Sequence, residues 1–176
     1  LTSFDDSREA VKAAEAALAL HPSQEARLAG VSAWQYRTWH LRNLATRPAV
    51  AVDGTPAELK AQMARAYVRH LTLVLEALRG HVPKKDATDA GDVSLPCSGL
   101  YFGQLRDSDL PDEPAVRELC DEAQALEEAI FQFQIAFYTK HYDLCGGGYW
   151  LAWSRAVSIT GLHRGKPERQ VELLRR

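Results

Sequence analysis

Apolar residues recur every three to four positions through much of the chain, the spacing that stacks side chains on one face of an α-helix. Ser7 to Leu20 (SREAVKAAEAALAL) is built from strong helix formers and stops at His21-Pro22, because a residue preceding proline is pushed out of the helical region. Ser23 is placed to cap a second helix from Gln24 to about Ala45, closed by Thr46-Arg47-Pro48. Leu28, Val31, Trp34, Leu41 and Ala45 form its main stripe, and Ala29, Tyr36 and Trp39 lie on another face. Of the two tryptophans, one is therefore expected in the core and the other beside Tyr36 on the surface. Thr55-Pro56-Ala57-Glu58 combines an N-cap threonine, proline at the first helical position and a glutamate able to reach back to the cap amide. A third helix starts there. Its stripe of Leu59, Met63, Tyr67, His70, Leu71, Val74 and Leu78 leads to a left-handed stop expected at Gly80.

Helical periodicity disappears from His81 to Pro111, a connection unusually long for a compact domain. Within it, Val93 to Leu105 (VSLPCSGLYFGQL) is too apolar for a solvated linker and is expected to pack on the helices through Cys97, Tyr101 and Phe102. A long fourth helix opens at Asp112-Glu113-Pro114 and runs to about Leu144, with a seam of Val116, Leu119, Ala123, Leu126, Ile130, Phe133, Phe137 and Leu144. Phe131, Ile135, Tyr138 and Tyr142 add a second stripe in its later half. Gly146-Gly147-Gly148 breaks the pattern as an interhelical hinge, and a fifth helix from Tyr149 to about Thr160 doubles back on the fourth. Lys166 to Arg176 reads as a short amphipathic end. These elements predict an all-α fold: an irregular antiparallel bundle of about five helices in one domain, residues 1–176, with a long ordered loop between the third and fourth.

Composition narrows the class without naming a function. With 176 residues, 46% hydrophobic and 25% charged, the chain reads as a soluble globular domain large enough to bury a core without a metal or disulfide staple. A net charge of -2 argues against a dedicated nucleic-acid partner, and no apolar run is long enough to cross a membrane. Cys97, Cys120 and Cys145 have no C-x-x-C spacing, which favours a reduced, cytoplasmic setting, with one bridge plus a thiol the alternative. Residue 1 is Leu rather than Met, so a processed N-terminus stays open.

Two groups of residues carry candidate chemistry. Arg65-Ala-Tyr-Val-Arg-His70 has R-x4-H spacing and over those positions resembles the motif of HEPN ribonucleases, helical proteins in which an Arg and a His from two paired subunits meet one RNA phosphate. The resemblance implies acid/base work for His70 at the ribose hydroxyl or leaving oxygen, and stabilisation of phosphate charge by Arg65. Ala66 stands where those enzymes usually carry a polar residue, and five residues of helix turn the two side chains about 140° apart. Read without the resemblance, His70 is a core histidine among Tyr67, Leu71 and Val74, and Arg65 a solvated cation. His141 and Cys145 lie one turn apart and could offer imidazole and thiolate to one soft metal, with His40, His70 or Cys120 completing the shell. Glu127-Glu128 lacks the histidine at plus three that a di-iron bundle needs, and no cofactor is expected. Arg37, Arg42 and Arg47 read as a solvated basic face.

The densest feature is aromatic. Phe131, Phe133, Phe137, Tyr138, Tyr142, Tyr149, Trp150 and Trp153 gather more than half of the chain's rings into one short stretch, filling a core or forming a contact face. The sequence therefore points first to a non-catalytic binding or regulatory protein. It would use Tyr138, Tyr142, Tyr149, Trp150 and Trp153 against one protein partner or a second copy in a homodimer. A HEPN-like ribonuclease using Arg65 and His70, and a small-molecule or cofactor binder between helices, are the alternatives.

Overall fold

The capping signal at Thr55 does what its chemistry requires, and the helix behind it becomes the centre of the molecule. In the computed structural model the Thr55 hydroxyl accepts the Glu58 amide at 3.2 Å while the Glu58 carboxylate accepts the Thr55 amide at 2.7 Å, which starts α3 (Pro56–Arg79). Gly54 precedes the cap with φ of 134°, a conformation that favours glycine. The structure describes residues 3–46, 54–82, 95, 96, 105 and 109–141. Three further helices lie in this set: α1 (Ser3–Leu20), α2 (Gln24–Thr46) and α4 (Pro114–Lys140).

α3 is buried on more than one side. Leu59, Met63, Tyr67, Leu71, Val74 and Leu78 are sealed along the expected stripe, and Ala66, Leu73 and Ala77 are sealed beside it. A helix apolar over so much of its circumference needs neighbours on two flanks. α2 takes one and α4 the other. At its end α3 departs from expectation: Gly80 is right-handed, with φ -82° and ψ -4°. Its amide bonds the Glu76 carbonyl at 2.9 Å and the His81 amide bonds Leu78 at 3.2 Å, so the chain leaves in a tightening turn that needs no left-handed residue.

α1, α2 and α3 form an up-down-up unit. α1 begins at Ser3, earlier than its apolar pattern suggests, and its turn into α2 is closed by Ser23, whose hydroxyl accepts the Ala26 amide at 3.2 Å. Ser7 meets Arg37 and Glu15 meets Trp34, so α1 and α2 are antiparallel; Gln24 meets the Ala77 carbonyl and Val31 meets His70, so α2 and α3 are too. Gly30 of α2 faces Leu18 of α1 and Leu73 of α3. A Cβ there would lie 2.8 Å from Leu73 Cδ1 and 3.2 Å from Leu18 Cδ1, so the absent side chain sets the approach distance.

α4 corrects the antiparallel expectation, because it runs parallel to α3. Lys60 reaches Asp109 just before α4 begins, Tyr67 bonds Glu127, and the His81 ring packs against Phe137, so early residues meet early and late meet late. The long connection makes this possible. α3 spans about 36 Å at ~1.5 Å per residue, a distance that roughly a dozen extended residues can retrace. Residues 80–113 far exceed that. Part of the surplus is tied down: Leu95 and Leu105 are 3% and 5% exposed and belong to the central core. Leu95 and Leu105 therefore pack on the helices, while the expected anchors Cys97, Tyr101 and Phe102 lie outside the described residues.

α4 ends at Lys140, with the His141 amide on the Phe137 carbonyl, short of the expected Leu144. The glycine break, the fifth helix and the terminal segment fall outside the described residues. Among those described all regular structure is helical, and no helix is long and apolar enough to cross a membrane.

The parallel arrangement is checked by spin labels on exposed positions in a background lacking the native cysteines. Labels at Arg79 and Thr139 should lie within about 20 Å, and labels at Arg79 and Ala115 beyond about 30 Å, given ~1.5 Å rise per residue along each helix. An antiparallel pair would invert the two distances.

Candidate functional site

The seam between α3 and α4 buries a carboxylate and an amide side chain, Glu127 and Gln134. Glu127, Phe131, Gln134 and Tyr138 follow one another at four, three and four residues, a single helical face that lies on α3. Glu127 is 2% exposed and its carboxylate accepts the Tyr67 hydroxyl at 2.7 Å. A buried carboxylate is tolerable only when hydrogen-bonded, so Tyr67 is a condition of Glu127 being there. Reading the seam by its apolar members alone passes over Glu127 and Gln134. Their spacing from Phe131 and Tyr138 is the signal that could have found them.

His70 belongs to the other flank of α3. Its Nδ1 lies 3.0 Å from the Val31 carbonyl on α2, and because a carbonyl only accepts, the proton sits on Nδ1. Its Nε2 meets no hydrogen-bond donor among the described residues. Burial pushes the imidazole down to about 4 against the favourable Val31 bond, so His70 is neutral at neutral pH. It is 1% exposed, and its ring packs 6.2 Å from that of Tyr67. Arg65, on the same helix, is exposed. Within one chain the two residues of the R-x4-H motif therefore share no surface.

A third polar cluster ties α1, α2 and α3 together. Glu15 accepts Arg69 through Nε and Nη2, both at 2.9 Å, and Trp34 Nε1 at 2.7 Å. The Arg69 hydrogen bonds hold the Glu15 carboxyl below its usual range against partial desolvation, and Glu15 in turn raises Arg69. Arg37, expected on a solvated face, is instead buried at 7% exposure and donates to Ser7 Oγ at 3.0 Å. Burial, with a smaller contribution from the Arg8 charge, lowers it to about 10. The cause is geometric: position 37 falls on the flank of α2 that α1 covers. Arg42 is exposed, and Arg47 lies outside the described residues.

The aromatic side chains divide between core and surface. Trp34 is half-buried on Glu15, whereas Trp39 is 57% exposed and stacks on Tyr36, itself 39% exposed, with centroids 6.1 Å apart, as the two stripes of α2 predicted. Tyr138 is 1% exposed and meets the Phe137 ring edge-on at 5.6 Å. Phe133, Phe137 and His141 form a half-buried row along the end of α4, with centroid separations of 6.5 and 4.6 Å, and His81, just beyond α3, flanks it. Tyr142, Tyr149, Trp150 and Trp153 lie outside the described residues, as does Cys145 of the His141–Cys145 metal pair. Among the described residues no group of three or more His, Cys, Asp or Glu side chains is arranged to hold a metal. Cys120 is unbridged and half-buried; burial and the neighbouring Asp121 raise its thiol, which keeps it protonated and weakly nucleophilic. No protein-family model, curated protein or solved structure matches the chain.

His70 gives a signed pH dependence. An unfolded histidine binds its proton near pH 6.5, whereas the folded ring does so only near about 4, so between these values the unfolded state holds the extra proton. Stability should fall as pH drops through that window, by up to about 3 kcal/mol, and level off beneath it. Urea titrations at several pH values should show this slope in the native chain and a shallower one in His70→Leu, where His40 and His81, also lowered by burial, still contribute. Tyr67→Phe, which strips a donor from the buried Glu127, should cost about 2 kcal/mol in the same assay with its secondary structure intact.

Proposed function

We propose that the chain is a non-catalytic binding protein that acts through protein–protein contacts. The observation that carries this reading is the Tyr36–Trp39 pair, which stands exposed on α2 with its rings already stacked. Isolated surface apolar residues are ordinary. A stacked Trp and Tyr with the exposed Arg42 one turn on is different, because those three side-chain types dominate the energetic centres of protein interfaces. Stacking also restricts both rings before any partner arrives, which lowers the ordering cost of association.

Two further features agree with the reading. The groups best suited to chemistry are engaged internally: Glu15 by Arg69 and Trp34, His70 by Val31, Glu127 by Tyr67. The ring row of Phe133, Phe137 and His141, with Tyr138 buried beside it, supports a second contact region in the C-terminal half, to which the aromatic character of Tyr142, Tyr149, Trp150 and Trp153, outside the described residues, would add.

Native mass spectrometry of the chain purified gently from its own source tests the reading. The expected species is the chain bound to another polypeptide, a second copy or a different protein, and diminished in Trp39→Ala. A lone chain, or one carrying only a small-molecule mass, would overturn it.

A further inference from the structure

We draw no further inference here: the strongest candidate, the exposed Tyr36–Trp39 patch on the outer face of α2, carries nothing beyond the binding reading, because nothing in the structure shows what covers it.

Discussion

A helix that is apolar around most of its circumference must be covered from more than one side, and α3 imposes that requirement on the rest of the chain. Its stripe through Leu59, Met63, Tyr67, Leu71, Val74 and Leu78 and the adjoining Ala66, Leu73 and Ala77 are all sealed. A hairpin partner covers only one flank, and α2 supplies it through a close approach at Gly30. The other flank is left to a helix that arrives after residues 80–113. Because that stretch is long enough to cross the molecule, the second cover can lie parallel, and Leu95 and Leu105 anchor the crossing in the same core.

Polar groups then give the packing its specificity. Hydrophobic faces alone permit helices to slide by a turn, with modest loss of buried area. The Tyr67–Glu127 bond, the His70–Val31 bond and the Glu15 cluster with Arg69 and Trp34 do not, since a slip would strand a buried donor or acceptor. The side chains that look most like chemistry in the sequence are thus the ones that define helix register. His70 shows this most clearly: burial keeps it neutral and α2 covers it, so its imidazole serves the α2–α3 contact.

With those groups committed inward, the exposed rings and charges are left to the outer faces of the helices. Tyr36, Trp39 and Arg42 occupy the face of α2 that neither α1 nor α3 covers, and the acidic face of α4 lies beyond α3 at the same end. That the two faces share an end follows from the parallel placement of α4. An antiparallel α4 would have carried Glu118, Asp121 and Glu122 to the opposite end of the bundle.

The sequence by itself determined what depends on near neighbours along the chain. Thr55 to Glu58 encoded its capping box, His21-Pro22 the end of α1, and the two stripes of α2 the division between Trp34 inside and Trp39 outside. Each of these is settled within one or two helical turns, where periodicity and capping chemistry act. The tertiary structure alone decided the direction of α4, the burial of Arg37, the engagement of His70, and the pairing of Tyr67 with Glu127. Those outcomes depend on which element arrives opposite a given face. For α4 that turned on a connection whose length permits either direction, and contacts far apart in sequence made the choice: Lys60 with Asp109, Tyr67 with Glu127 and His81 with Phe137.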